Sequence, residues 1–357
     1  MDFETFVRIP FVDELATLPE VYETARELDT HELGDWLLHQ SDSPLLVVAS
    51  GGSMTAAAMA VDLHQRATGH LAKSASPTEI WTYGTEPTCA AGLVLSAGGA
   101  NADAMAIARL LVHSRGTWAV LTGQAAPPMI EKLTETSIAC FAYDLLPKVH
   151  GWVPVGATLS QALVLATAYS AAFPGLGSVP GSIASLLPAG ANTVIRAVDA
   201  LAEQLETVLT SERLLCLFTP TTAALATDIE AKFAEGGLGF LQLSDLRNFA
   251  HGRYQTVLAN PEGCAILLVY SEAEERYVRR YASLLPVEVP LGLLALPAPS
   301  AIHAQLASVV TSLALVGAVG RVRDIEPGWG SVCEFGDALY ELALPDVVHQ
   351  NCPTSEP

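Results

Sequence analysis

The chain has 357 residues, of which 50% are hydrophobic and 16% are charged, so it is long enough for two domains and too apolar to be disordered. Its 38 acidic and 18 basic side chains give a formal net charge of -20. A surface of that charge repels nucleic-acid backbones and anionic lipid, so neither is an expected partner.

The six cysteines are irregularly spaced, with no CxxC pair and no Cys/His cluster at metal-ligand spacing. They are Cys89, Cys140, Cys216, Cys264, Cys333 and Cys352. This spacing predicts neither a disulfide framework nor a zinc site, and nothing in the sequence points to another metal or to an organic cofactor. Residues 1–10 lack the basic and then apolar pattern of an export signal, so a reducing cytoplasm is the expected compartment.

Between Lys148 and Arg196 no side chain carries a formal charge, which raises the question of a membrane span. Prolines and glycines interrupt this stretch, and its helical part, residues 157–173, contains polar side chains such as Gln161 and Tyr169. A membrane span needs about 20 predominantly apolar residues. We therefore predict a helix buried between domains, and no association with a membrane.

Residues 1–40 are predicted to form a helical N-terminal segment, because apolar residues recur at helical spacing in 12–28 and in 31–38. In residues 41–195, short apolar runs then alternate with helical patterns. The predicted strands are 45–49, 92–95, 117–122 and 138–143, and the clearest helices are 54–65 and 101–113. Such alternation is typical of a parallel sheet with helices on both faces.

Residues 196–357 repeat this order, after a long helix predicted at 193–210. The predicted strands are 214–218, 265–269 and 287–296, and the predicted helices are 223–235, 272–285 and 302–319. The segments that begin at Ser43 and Glu212 align without gaps, which predicts an internal duplication. The expected fold is α/β: two three-layer αβα sandwiches, each with a parallel sheet of about five strands.

Two glycine-containing turns follow predicted strands, where parallel sheets bind ligands. They are Ser50–Ser53 and Ser96–Asn101. Their glycines permit close backbone approach and their hydroxyls suit a phosphate monoester. Neither is a Walker A loop or a dinucleotide fingerprint, and an ordinary strand-to-helix turn is the alternative for each.

Asp228, Lys232 and Glu235 lie at positions i, i+4 and i+7 of a predicted helix, so one face would hold an ammonium between two carboxylates. A solvated row of ion pairs is the alternative. His251, followed by Gly252, is a candidate imidazole partner for an acid/base site, and a structural histidine is the alternative.

These motifs resemble those of the tandem sugar isomerase (SIS) domain family, including the isomerase half of glutamine–fructose-6-phosphate aminotransferase. The resemblance covers about residues 40–345. The family's G-T/S-S turn reads Gly51-Gly52-Ser53 here, and its S-x-S-G-E-T turn reads Ser96-Ala97-Gly98-Gly99-Ala100-Asn101. Its E-G-A-L-K-L-K-E motif with a later H-G reads Asp228 to Glu235 and then His251-Gly252.

The resemblance implies a role for each residue of these motifs. Glu235 would move a proton between C1 and C2 of an opened sugar, Lys232 and Asp228 would tune and relay that proton, and His251 of a neighbouring subunit would open the ring. The implied substrate-binding residues are Gly51, Gly52, Ser53, Ser96, Gly98, Gly99 and Asn101. Both halves of the chain are expected to direct their strand ends at this one pocket.

The expected function is aldose–ketose isomerisation, or deamination, of a phosphorylated sugar. Two hydroxyls of the family's phosphate loop are replaced, at Gly98 and Asn101, so a non-catalytic module that senses a sugar phosphate or a nucleotide is the alternative, and a scaffold is a third. No lysine follows Lys232, so amination through an imine is not expected. Residues 321–340 would form either a lid or a packed tail.

The resemblance also implies a homodimer or a larger assembly. The long apolar helices 157–173 and 302–319 are the candidate faces to be buried between subunits.

Overall fold

Two parallel sheets organise the computed structural model, which describes residues 9–83, 90–144, 151–188, 190–328 and 334–344. The strands are β1 (Leu45–Val48), β2 (Ala72–Ala75), β3 (Ala91–Ser96), β4 (Trp118–Thr122), β5 (Ala139–Ala142), β6 (Arg213–Phe218), β7 (Phe240–Asp245), β8 (Cys264–Ser271) and β9 (Leu291–Leu296). The first sheet has the order β2-β1-β3-β4-β5 and the second the order β7-β6-β8-β9. The second sheet therefore has four strands in the described part of the chain, one fewer than expected.

Both sheets are covered by helices on their two faces, as the alternating pattern predicts. The helices are α1 (Phe11–Arg26), α2 (His31–His39), α3 (Ser53–Thr68), α4 (Pro77–Tyr83), α5 (Ala102–Leu111), α6 (Pro128–Leu133), α7 (Gly156–Ala172), α8 (Val194–Leu209), α9 (Ala223–Glu235), α10 (Leu246–Asn248), α11 (Gln255–Ala259), α12 (Glu275–Ala282), α13 (Ala301–Arg323) and α14 (Glu334–Tyr340). The strand order of the second sheet matches that of the first four strands of the first sheet. An internal duplication nevertheless stays a prediction.

Alternate residues of the central strands enter different apolar clusters, which explains their uninterrupted apolar sequences. In β6, Leu214 and Cys216 face the cluster that contains α8, α9 and α13. Leu215 and Leu217 face the opposite cluster, beside Phe249 and α12. The largest cluster continues from one sheet to the other, so the unit boundaries at residues 40 and 195 remain predictions.

Two long helices, α7 and α13, are apolar on every side and lie inside the chain. The helix α7 packs against α1, α2, α3 and α13, and α13 also packs against α8 and α9. The expectation that these helices form subunit interfaces is therefore wrong, because the chain's own helices already cover them. Although α13 is long and apolar enough to cross a membrane, 94% of its apolar window is buried here, as in a core helix.

Candidate active site

Two glycine-containing turns meet at the carboxyl edge of the first sheet, because β1 and β3 are adjacent parallel strands. Gly51 and Gly99 have positive φ angles of 54° and 58°, a conformation that favours glycine. The Ser96 hydroxyl accepts a hydrogen bond from the Gly99 N–H at 3.0 Å. Asn101 Oδ1 accepts one from the Ala104 N–H at 2.8 Å and so caps α5. Both predicted ligand side chains therefore also close their own turns.

A narrow cleft of about 10 Å³ lies between these two turns. Ser50, Ser96 and Asn101 line it, and so does Asp103 in the first turn of α5. The cleft holds about one water as it stands. The Asp103 carboxylate also opposes the binding of a second anion, so this edge differs electrostatically from a phosphate cradle.

Gly52 leaves little room for a side chain at its position. A Cβ atom at Gly52 would lie 3.0 Å from the Pro154 ring, which is tighter than most contacts in proteins. The loop before α7 therefore closes against this turn. Ser53, the first residue of α3, follows Gly52 and is 7% exposed.

The acidic and basic side chains of α9 form a buried ion pair. Lys232 Nζ donates to Asp228 Oδ1 at 2.8 Å, and the two side chains are 1% and 0% exposed. The alternative of a solvated row of ion pairs is therefore excluded. Thr55 Oγ1, from the first turn of α3, donates to the same oxygen at 2.5 Å. This bond joins α9 to the helix that begins at Ser53.

Glu235 lies at the end of α9 in an environment suited to a proton acceptor. Burial raises the pKa of its carboxyl above the ordinary value, the Lys232 ammonium partly offsets this rise, and the Asp228 carboxylate adds to it. Asp228 Oδ2 and Glu235 Oε2 are both buried without a hydrogen-bond partner among the described residues. A carboxylate with a raised pKa and a vacant oxygen is what a general base requires.

The second sheet presents its amino edge to Glu235. Since α9 connects the parallel strands β6 and β7, it runs antiparallel to both and ends where these strands begin. The expectation that both sheets direct their carboxyl ends at the pocket is therefore wrong for the second sheet. The Thr55–Asp228 bond instead holds α9 of the second half against the first turn of α3, which begins at the carboxyl edge of the first sheet.

Arg323 ties the end of α13 to the amino edge of the second sheet. Its guanidinium donates to the carbonyl oxygens of Leu209, Leu238 and Ser211 at 2.6 to 2.8 Å, and these residues precede β6 and β7. Beyond it, the Gly328 N–H donates to the Gly236 carbonyl at 3.2 Å. Gly328 therefore lies against the residue that follows Glu235, whereas 329–333 lie outside the described residues.

His251 is not brought to Glu235 within one chain. It is exposed, in a short π-helix at Phe249–Arg253. Phe249 of this element packs in the cluster on the face of the second sheet opposite α9. A role for His251 at the site thus requires a second copy of the chain, and it stays a prediction.

Comparison with known proteins gives matches only among solved structures. No family model and no curated protein matches the sequence. A proposed phosphosugar isomerase from Silicibacter pomeroyi DSS-3 superposes with a TM-score of 0.68 at 17% identity, over 89% of this chain and 100% of the other. The C-terminal domain of glucosamine-fructose-6-phosphate aminotransferase from Francisella tularensis gives 0.64 at 14% identity, over 88% and 96%.

A third structure, glucosamine-6-phosphate deaminase from Thermotoga maritima, gives a TM-score of 0.62 at 13% identity, over 91% and 98% of the two chains. The chain has the fold of the phosphosugar isomerases. At these identities the likeness concerns the fold alone, and the chemistry of this chain has to be argued from its own residues.

Sequence reasoning missed one more residue of this phosphosugar isomerase fold, Glu14. Its buried carboxylate accepts the N–H groups of Gly151, Val155 and Gly156 at 2.9 to 3.4 Å, at the start of α7. The first turn of α7 has no acidic side chain and no cap of its own. The sequence does contain a signal for such a residue. The helix α7 begins in an uncharged stretch without a capping side chain, so its free N–H groups need acceptors from elsewhere in the chain.

Proposed function

We propose that this protein moves a proton between adjacent carbons of a phosphorylated sugar or a related sugar derivative, as an aldose–ketose isomerase or a deaminase. The link from Thr55 through Asp228 to Lys232 carries the proposal. It holds the α9 side chains next to the α3 turn at Ser53, and it sets the charges beside Glu235. The shared fold supports the same substrate class.

In this proposal the Glu235 carboxylate accepts the proton on C2 of an open-chain aldose, the C2–H electron pair forms the C1=C2 double bond, and the carbonyl electron pair moves to O1 to give an enediolate. The same carboxyl then returns the proton to C1 while the proton of the C2 hydroxyl passes to O1, which gives the ketose. Partial burial of Glu235 raises its proton affinity toward that of the reacting carbon acid. Lys232 limits this rise and Asp228 holds Lys232 in place. Ser53, Ser96, Asn101 and the glycine turns would bind the distal anionic group.

Solvent exchange tests this assignment. Incubation with a panel of hexose phosphates and amino-hexose phosphates in deuterated water is expected to place deuterium at C1 or C2 of at least one sugar. Glu235→Gln should lower that exchange by about 100-fold or more, since general-base catalysis contributes about 10²- to 10⁴-fold. Glu230→Gln is the matched control, because Glu230 is an exposed carboxylate on the same helix. Exchange that survives Glu235→Gln unchanged contradicts the role of Glu235.

A non-catalytic sensor is the second candidate, and the cleft at the first sheet favours it. Ser96 and Asn101 are engaged in their own turns, and Asp103 places a negative charge at the same edge. A sensor would be stabilised against heat by one member of the same panel with no deuterium incorporated. Asp103→Asn should then increase the affinity for a phosphorylated ligand, because one repulsive charge is removed.

A further inference from the structure

The second half of the chain has an apolar groove on the face opposite α9. It has a volume of about 330 Å³ and lies between the element 246–259 and the end of α12. Phe249 and Val257 form its buried floor. The Tyr281 hydroxyl donates to the Leu246 carbonyl at 2.9 Å and so connects the two walls. This hydrogen bond holds the two walls of the groove at a fixed separation.

The rim of this groove is apolar and exposed. Leu258 and Leu284 are 54% and 73% exposed, although both line the cavity. Leucines that line a cavity and keep this much contact with water are typical of a binding surface rather than of an ordinary exterior.

The groove is also unusually basic for an acidic protein. Its two lining elements, residues 246–259 and α12, carry five of the chain's 18 basic residues. These are Arg247, Arg253, Arg276, Arg279 and Arg280. Of the neighbouring acids, Glu275 is paired with Arg279 at 2.7 Å, and Asp245 caps α10 through the Arg247 and Asn248 N–H groups. The two elements thus hold five arginines and one carboxylate, and an apolar groove between elements of that charge fits an acidic amphipathic segment.

The helix α14 has those properties. Phe335 and Leu339, at i and i+4, are 70% and 64% exposed, and Leu342 follows at 51%. Glu334 and Glu341, at i and i+7, lie together along one edge of this face, and residues 334–344 contain no lysine or arginine. Within one chain this apolar face and the groove rim are both exposed to water. Among the described residues of one copy, therefore, nothing covers the leucines of the groove rim or the apolar side chains of α14.

We propose that α14 of one copy docks into the groove at Phe249, Tyr281 and Leu284 of a second copy. Reciprocal exchange around a twofold axis occupies both grooves, whereas one-way docking leaves one open. Each contact buries Phe335 and Leu339 on the apolar floor and places Glu334 and Glu341 near the arginines. This interface takes the place of the α7 and α13 faces, which the chain itself covers.

Charge reversal tests the proposal without altering the core. The wild-type chain should sediment as a dimer, and raised salt should weaken it. Arg276→Glu/Arg280→Glu alone and Glu334→Arg/Glu341→Arg alone should each raise the dimer dissociation constant about tenfold or more. An equimolar mixture of the two variants should recover the dimer, because both contacts in the mixed pair are again of opposite charge. Leu71→Glu, on the first half and 78% exposed, is the matched control and should leave the dimer unchanged.

Cross-linking distinguishes docking of α14 into the groove of a second copy from docking into the groove of its own chain. A copy with Leu339→Cys and a differently tagged copy with Leu284→Cys, mixed and treated with a bismaleimide, should give a covalent mixed dimer. A Leu71→Cys copy in place of the second should give about tenfold less. The proposal is overturned by a monomeric wild type, by charge variants that dimerise like the wild type, or by cross-links that form only when both cysteines are in one chain. Sugar turnover is not measured, so these outcomes are independent of the proposed function.

Discussion

Thr55 and Asp228 are separated by 173 positions in the sequence and share a buried hydrogen bond of 2.5 Å. The same Asp228 oxygen accepts from Lys232, so a hydroxyl from the first half and an ammonium from the second meet on one atom. Because all three groups are removed from water, each depends on the others for its hydrogen bonds. The contact therefore links the packing of the two halves to the charge beside Glu235.

Thr55→Val should destabilise the protein by about 1–3 kcal/mol, since the buried Asp228 carboxylate loses a donor while the side-chain volume is kept. Thr55→Ser keeps the hydroxyl and should retain most of the stability. Urea unfolding of the two variants and the wild type measures the difference. A larger loss for serine than for valine would show that Thr55 contributes through its methyl group rather than through its bond to Asp228.

Lys232→Met should be more damaging, with a loss of about 3–5 kcal/mol, because it leaves an uncompensated carboxylate in the interior. The double variant Asp228→Leu/Lys232→Met removes both charges and should lose less than the sum of the two single variants. A double-mutant cycle from unfolding curves gives the coupling energy. Additivity within about 0.5 kcal/mol would contradict a direct pair.

The strands and helices with strong apolar patterns were predictable from the sequence. Helix α9 was predicted at 223–235 and is observed at Ala223–Glu235, because its apolar positions are regular and two glycines follow it. The edge strands β2 and β7 were missed. Their sequences, AKSA and FLQLSD, have too few buried residues to differ from a loop.

The candidate site was only partly predictable. Spacing along one helix placed Asp228 beside Lys232, and the structure confirms that ion pair. Spacing contains no information about residues that meet only after the halves pack together, so Thr55, Glu14 and Arg323 were not found. For the same reason the direction of the second sheet relative to the pocket was predicted wrongly.

Glu14→Ala should lower the free energy of unfolding by about 1–3 kcal/mol, because it leaves buried N–H groups at the start of α7 without an acceptor. Glu14→Gln keeps one acceptor oxygen and should lose less. The control is Glu20→Ala on the exposed side of the same helix, with an expected change within about 0.5 kcal/mol. If both alanine variants unfold alike, the Glu14 carboxylate is not a stabilising cap for α7.

Glu235 should make stability depend on pH in a defined direction. Its pKa is raised in the folded protein, first by burial and then by Asp228, against the opposing effect of Lys232. Between the ordinary value of 4.5 and the raised value, the folded state binds more protons than the unfolded state. The favourable contribution of this carboxyl is therefore complete below 4.5 and is lost as the pH rises through the raised pKa.

The side chain introduced by Glu235→Gln cannot ionise. The free energy of unfolding of the wild type, minus that of this variant, should therefore decrease as the pH rises over that same interval. Glu230→Gln serves as the control, since Glu230 is exposed and its replacement should leave the profile of the wild type unchanged. Urea unfolding at a series of pH values from about 4 to 8 measures all three proteins. If Glu235 is the base, turnover must increase with pH over the interval in which the stability difference falls, because the carboxylate form is needed for catalysis. A stability difference that stays constant across the series would mean that Glu235 has an ordinary proton affinity and is not poised as a base.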